Sequence, residues 1–308
     1  MITTLNLKTP PDHSVDARLI APQNLCGLDK SQIENLPIGH NSTEIRIGDF
    51  FDVNCHEPTS PCGMECNSSA VCPTASLILT GDLSSFHRIG QTMNSGRLWI
   101  IGNVGSEFAS RMSGGICVVA GHTSDNAGQG LRGGLLAICG HCGNDLASPL
   151  PGKKTGMTGG DILIGGNVGD RAAHRMRRGT ILVSGHAGHY GCQQMIAGTV
   201  IAQGNIGDSW CLGMKRGSLI ELNPAGAQHS THAGFTIGRD FELSFLQILW
   251  KHLRTQHKQL SALAHDLEVA FPFALPKFPQ SNWVTRQVGD TLVNGQGEWL
   301  RVITSDQS

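Results

Sequence analysis

The sequence contains little that points to nucleic acids, membranes or secretion. Its 308 residues carry a formal net charge of −1, so it lacks the excess of Lys and Arg that attracts nucleic acids or anionic lipids. No apolar run approaches the length of a membrane span, and residues 1–20 lack the apolar core of a signal peptide. Without such a signal, the ten Cys residues are expected to be reduced thiols. We therefore expect a soluble, cytoplasmic protein that binds neither nucleic acid nor membrane.

Glycine, in contrast, is abundant and regularly spaced in the middle of the chain. The glycines that precede seven short apolar runs are separated by 19, 19, 26, 19, 19 and 19 residues; they are Gly96, Gly115, Gly134, Gly160, Gly179, Gly198 and Gly217. The one longer step contains an insertion around Pro149–Lys154. A constant period of this length is typical of solenoids, in which each coil covers the apolar face of its neighbours.

Each repeat has the composition of a β-coil. The apolar runs are of strand length and rich in β-branched residues, and 19 residues leave no room for two helices. A turn that begins with glycine follows each of the first six runs, and five of these turns contain a second glycine. The residue after the first glycine is always Asn or His. The apolar residues three positions before the strand glycines should form a buried row: Met93, Met112, Leu131, Met157, Met176, Met195 and Met214. We predict an all-β core, a right-handed parallel β-helix of seven 19-residue coils that rise about 4.8 Å each.

The chain divides into three regions on this basis. Residues 1–75 form an N-terminal extension, residues 76–225 the parallel β-helix, and residues 226–308 a C-terminal helix and extended tail. In the first extension we predict a short helix near residues 31–35 and a strand at 44–47. Apolar spacing predicts a helix over 241–267, and the Pro-rich tail after it must pack on the coils or on a partner.

Two motifs resemble active-site signatures but fit the repeat better. Cys139-Gly140-His141-Cys142 has the letters of a disulfide oxidoreductase, yet Gly140 is a repeat glycine and no helix is expected to follow it. Residues 128–133, GQGLRG, match a dinucleotide-binding fingerprint, but this fingerprint requires a strand before it and a helix after it. We expect neither redox chemistry nor nucleotide binding.

Two further sets of residues could in principle bind a metal or act as acid–base groups, but a structural role is favoured for both. The Cys55, Cys62, Cys66 and Cys72 cluster has wider gaps than a structural zinc site usually has, so an ordinary loop is favoured over a metal site. The turn histidines, His122, His141, His186 and His189, have no recurring carboxylate or nucleophile beside them, and Asn replaces His in the same slot. We predict no catalytic residue and no metal ligand.

Basic residues are concentrated at one corner of the predicted coil. The 19-residue register places Arg177 and Lys215 in one row with Ile196 between them, and Arg178 and Arg216 in the next. Solvated surface, an interface with an acidic partner, and a patch for a polyanionic ligand all remain open interpretations. The residues proposed to bind a ligand are Lys153, Lys154, Arg175, Arg177, Arg178, Lys215 and Arg216.

The later repeats carry a family resemblance. They read RMRRGTILVSGHAG at 175–188, MIAGTV at 195–200 and MKRGSL at 214–219. Near its end the sequence has VGDTL at 288–292 and GQGE at 295–298. This sequence resembles the C subunit of formylmethanofuran dehydrogenase and of its bacterial relative, the formyltransferase/hydrolase complex of one-carbon metabolism. The C-terminal β-helix domain of the glutamate synthase large subunit has the same repeat. The early IGDFF at 47–51 and the end of the chain favour the C-subunit branch.

The resemblance implies a non-catalytic scaffold subunit. Amidohydrolase-like and formyltransferase subunits would be its partners, and the complex would use a methanofuran-type coenzyme. Molybdenum or tungsten would be held only by a partner, in the dehydrogenase version. Two other interpretations stay open: an amidotransferase-linked module of the glutamate synthase kind, and a free-standing binding module.

Overall fold

A computed structural model describes residues 2–39, 45–56, 75–222 and 234–303. Four α-helices lie in these ranges: α1 Pro22–Leu25, α2 Lys30–Glu34, α3 Ile47–Phe50 and α4 Phe245–Asp266. The strands are β1 Ile2–Leu7, β2 Val15–Asp16, β3 Phe51–His56, β4 Ser76–Thr80, β5 Phe86–His87, β6 Arg97–Ile101, β7 Ile116–Val119, β8 Leu135–Ile138, β9 Asp161–Ile164, β10 Thr180–Val183, β11 Thr199–Ala202, β12 Ser218–Glu221, β13 Arg239–Glu242, β14 Trp283–Gly289 and β15 Gly297–Val302.

The repeat forms a parallel sheet in the predicted register. Strands β6 to β12 each follow one of the seven glycines and pair in sequence order, so that Thr180 lies opposite Thr199 and Thr199 opposite Ser218. The seven-residue insertion leaves the register unchanged, because Leu135 of β8 still lies opposite Asp161 of β9. The predicted all-β, parallel β-helix core is confirmed.

Further strands continue this sheet at both ends, and all of them except β4 belong to the two extensions. Strands β4 and β1 add in parallel beyond β6, and β15 adds in parallel beyond β12. Antiparallel β3 lies at one edge, and antiparallel β14 followed by β13 lies at the other. At the C-terminal end, the rings of Phe235 and Trp299 pack edge to face, 5.7 Å apart, against the end of the core. The extensions therefore cap the ends of the coils, which solenoids require for a closed core.

The remaining two sides of each coil are built differently. On one side, single bridges connect Val104, Thr123, Cys142 and their equivalents in successive coils. On the other side, alternate residues have left-handed backbone, and many of them are not glycine; Ala109 and Arg111, with φ of 51° and 61°, are examples. Their N–H groups bond to the next or the preceding coil, as Arg111 does to Gln129 and Ala109 to Ile89. Inter-coil hydrogen bonds thus compensate the strain of these conformations.

The methionine row lies in the core, as predicted. Met93, Met112, Met157, Met176 and Met195 are fully buried, and so are Leu131 and Met214 in the same row. All of them belong to the cluster of buried side chains that fills the inside of the coils.

Helix α4 covers the outer face of the sheet. Its 22 residues span about 33 Å, which is the rise of about seven coils. Its buried side chains pack on the outward residues of the strands, such as Leu163 and Leu182. The tail then returns along the helix, with Phe271 against Trp99 and the Phe278 ring stacked on that of Trp250. The tail therefore packs on the coils, one of the two predicted positions.

The local predictions in the two extensions have different outcomes. The short helix near residues 31–35 is confirmed as α2, but the strand predicted at 44–47 is wrong, because Ile47 begins helix α3. The C-terminal helix begins at Phe245 instead of Phe241, since Arg239–Glu242 pairs with β14 as a strand. Of the cysteine cluster, Cys55 ends up in β3, whereas residues 57–74 lie outside the described part of the chain.

Candidate functional site: a basic groove beside the C-terminal loop

The coil register brings four cations together. Arg177 and Arg178 precede β10, while Lys215 and Arg216 precede β12, so the two pairs lie two coils apart, about 9–10 Å by strand spacing. The intervening coil contributes Ile196 and Ala197 at the equivalent positions. The result is a floor of apolar side chains between two pairs of positive charges.

The C-terminal loop supplies a second wall. Val293, Asn294 and Gln296 line the same groove of about 600 Å³, beside the coil that carries Lys215 and Arg216. The wall stands next to Lys215, whose carbonyl oxygen accepts a 2.7 Å hydrogen bond from the backbone N–H of Gln296. Nothing in the repeat pattern indicates this wall, because the loop lies about 80 residues beyond the coil that it contacts.

The cations of the groove are exposed and have no charged partner among the described residues. All four side chains are exposed, and none makes an ion pair or side-chain hydrogen bond with another described residue. Unpaired charges of one sign in a concave surface concentrate the potential there. The groove therefore has the electrostatics to attract a polyanion, and its guanidinium groups can bind carboxylates or phosphates in a bidentate way.

The structure does not bring the other three predicted basic residues into this groove. Arg175 has left-handed backbone, and its Nε donates a 2.7 Å hydrogen bond to the Gln194 side chain. Lys153 and Lys154 are exposed on the inserted loop, and neither is among the residues that line the groove.

A second cavity of about 470 Å³ provides a contrast at the N-terminal end. Its cation, Arg88, forms a two-point contact with Glu107 at 3.0 and 3.1 Å and a 2.9 Å bond to Asp16. Although burial alone raises the pKa of Asp16, hydrogen bonds from Arg18 and Arg88 outweigh it and hold that pKa below its ordinary value. The charges in this cavity are thus matched, and they attach the N-terminal segment to the coils.

The turn histidines hold the coils together. The ring Nδ1 of His122 accepts the backbone N–H of His141 at 2.8 Å, and His186 accepts that of Asn205 at 3.0 Å. Asn167 performs the same task through its side-chain oxygen, which accepts the N–H of His186 at 2.9 Å. His189 belongs to a second such row and accepts the N–H of Asp208. This shared acceptor role explains why Asn and His alternate in the slot.

The two signature-like motifs are parts of the coils. Burial raises the pKa of the Cys139 and Cys142 thiols to about 12, the opposite of what a reactive redox cysteine needs. Gly128 and Gly130 have left-handed backbone in the coil, and the next regular element is strand β8 instead of a helix. Among the described residues, no three His, Cys, Asp or Glu side chains are placed to hold a metal ion. Within the same ranges, no helix has the length and apolarity to cross a membrane.

Comparison with known proteins extends these observations. No protein-family model matches the chain. Over 100 residues it is 32% identical to the C subunit of the tungsten-containing formylmethanofuran dehydrogenase 2 of Methanothermobacter thermautotrophicus, and 30% identical to that of Methanothermobacter wolfeii. The matched stretch is 32% of this chain and spans about a third of the length of these curated relatives (33%).

The structural match covers much more of the chain. A chain from the formyltransferase/hydrolase complex (FhcABCD) of Methylorubrum extorquens, solved in complex with methylofuran, superposes with a TM-score of 0.75 and 28% identity. The superposition covers 97% of this chain and 99% of that one. The predicted resemblance to the C subunits is confirmed. Because 97% of this chain is covered, the structural likeness to that chain extends beyond the coils into both extensions.

Proposed function

We propose that this chain is the non-catalytic scaffold subunit of a complex that transfers formyl groups on a methanofuran-type coenzyme, in the cytoplasm. The observation that carries the proposal is the groove of four exposed cations, which have no charged partner among the described residues, on a chain that resembles C subunits. The four-subunit assembly of the solved relative favours the formyltransferase/hydrolase version, with amidohydrolase-like and formyltransferase subunits as partners. Nothing in this structure favours a glutamate synthase-type or free-standing module.

A scaffold role agrees with the structural contacts that the titratable side chains make. The turn histidines accept backbone hydrogen bonds between coils, and Arg88 is engaged with two carboxylates. The described cysteines of the CGHC motif are held as neutral thiols by burial. Molybdenum or tungsten, in a dehydrogenase version, would then belong to a partner subunit.

The groove would guide the coenzyme between separate active sites. Methanofuran-type coenzymes of this family can carry a chain of glutamates, and such a chain presents carboxylates at regular intervals. Two cation pairs on coils about 9–10 Å apart offer successive contacts without a deep pocket, so that the chain can bind and still move. Exposed cations attract it over about 10 Å at 0.1 M salt.

The test is charge reversal within the assembled complex. The double variant Arg177→Glu/Lys215→Glu should raise the apparent KM for the coenzyme several-fold, leave kcat nearly unchanged and weaken the dependence of KM on salt. The matched control is Lys153→Glu/Lys154→Glu, which makes the same change in charge on an exposed loop outside the groove.

The outcomes separate the three interpretations of the basic surface. An increase in KM for the groove variant alone supports coenzyme guidance. An unchanged KM together with loss of partner subunits would make the groove an interface with an acidic partner. If neither KM nor assembly changes, the groove is only solvated surface and the proposal fails.

A further inference from the structure

The wall of the groove is held rigidly to the last coil by a buried carboxylate. Asp290 is 2% exposed, and its side chain accepts hydrogen bonds from the backbone N–H groups of Gly213 at 3.1 Å and of Leu292 at 3.0 Å. Its own backbone N–H donates to Met214, and its carbonyl accepts the N–H of Gly295 at 2.7 Å. The loop from Asp290 to Gln296 is therefore fixed to the coil from which Lys215 and Arg216 project.

This fixed loop presents carboxamides to the groove. Asn294 and Gln296 are exposed, line the groove, and make no side-chain hydrogen bond to another described residue. Asn294 has left-handed backbone, with φ of 54°, a conformation in which Asn is enriched. Each carboxamide offers both a donor and an acceptor next to the cations.

The two walls of the groove have different chemistry, and we infer that the Asn294/Gln296 wall selects a peptide-linked polycarboxylate over other polyanions. Arg and Lys attract carboxylates and phosphates alike, so the cationic wall provides affinity with little discrimination. A peptide amide donates and accepts hydrogen bonds and so pairs with both groups of a carboxamide, whereas a fully ionised phosphate chain only accepts them. This inference rests on the proposed function, since it assigns a specificity-determining role within the same groove.

The dimensions of the groove fit such a ligand. An extended peptide advances about 3.3 Å per residue, so about three residues span the 9–10 Å between the two cation pairs. Carboxylates at both ends of such a segment would contact the cations, while the intervening backbone would cross the apolar floor of Ile196 and Ala197. The wall beside Lys215 is then within reach of peptide groups at that end of the segment.

The experiment compares two polyanions on the full chain. The affinities of acetylated tetraglutamate and of tripolyphosphate are measured by calorimetry at fixed ionic strength. Asn294→Gly/Gln296→Ala removes both carboxamides and retains the left-handed position through glycine. It should weaken tetraglutamate binding about tenfold, as expected for two lost hydrogen bonds, and leave tripolyphosphate binding within about twofold. Leu292→Ala is the control, because Leu292 is exposed on the same loop but does not line the groove.

Charge reversal distinguishes failure of this inference from failure of the proposed function. Suppose that Arg177→Glu/Lys215→Glu weakens the binding of both ligands, while the carboxamide variant weakens the binding of neither or of both equally. The wall is then not selective, and the inference is overturned while the groove function stands. If charge reversal weakens neither ligand, or if the parent chain binds neither, the proposed function fails and the inference fails with it. Selective loss of tetraglutamate in the carboxamide variant supports both.

Discussion

The close approach of successive turns makes a quantitative prediction at Gly185. A Cβ at this position would lie 2.5 Å from the carbonyl carbon and oxygen of Gly166, whereas ordinary contacts begin at 3.4 Å. The backbone N–H of Gly185 also bonds to that oxygen at 3.0 Å, so the two coils cannot separate by about 0.9 Å without loss of the hydrogen bond. Gly185→Ala should therefore destabilise the protein by about 1–3 kcal/mol, and Gly185→Val by more.

A second glycine provides the control for this experiment. Gly152 has a left-handed φ of 74° but nothing within 4 Å of the position of an added Cβ. Gly152→Ala therefore measures backbone strain without collision, at a cost of about 1 kcal/mol. Urea unfolding followed by circular dichroism compares both variants with the parent. Equal stability of Gly185→Val and the parent would refute the account of the turn.

Three further predictions concern the methionine row in the core, the turn histidines and the Cys139 thiol. Met176→Ala should lower the free energy of unfolding by about 2–5 kcal/mol in the same urea assay, because the side chain is fully buried. Ready oxidation of Met176 by peroxide in the folded protein would contradict its placement in the core. His186→Asn should preserve stability and leave turnover of the complex within about tenfold, because the Asn side chain also accepts the Asn205 N–H. His186→Ala removes this acceptor and should lower the free energy of unfolding by about 1 kcal/mol. A loss of turnover by several orders of magnitude would show that this histidine takes part in the chemical step. Cys139 is partly buried, and this burial raises the pKa of its thiol to about 12, so its thiolate fraction at pH 8 is about one in 10⁴. Iodoacetamide should therefore modify it at least a hundredfold more slowly than a free thiol, with a rate that rises as the pH approaches 12. Rapid alkylation at pH 8 would contradict the raised pKa.

The repeat could be predicted from sequence because glycine is required by two separate constraints. Glycines before the strands, such as Gly179 with φ of 103°, need left-handed backbone, and glycines in the turns, such as Gly185, need close approach between coils. The first requirement recurs in all seven repeats and the second in six of them, so they give a period that fixes the register of the strands. Basic residues at fixed offsets from these glycines, such as Arg177 and Lys215, could therefore be placed in one groove.

Other features left no comparable signal. The left-handed residues on the third side of the coil include Ala109 and Arg111, and neither residue type indicates such a conformation. The pairing of β15 with β12 depends on contacts between residues about 80 positions apart, so the wall formed by Asn294 and Gln296 could not be anticipated. At Ile47, the β-branched residues favoured a strand, but the Asp49 carboxylate accepts the Arg46 N–H and caps a short helix instead.

Affinity purification from native cells tests most directly our proposal that this chain is a scaffold subunit of a formyl-transfer complex. We predict that an amidohydrolase-like chain and a formyltransferase chain co-purify with it in a constant ratio and that the complex converts a methanofuran-type formyl substrate. Recovery of the chain alone as a monomer, or with a glutaminase-type chain instead, would contradict this proposal.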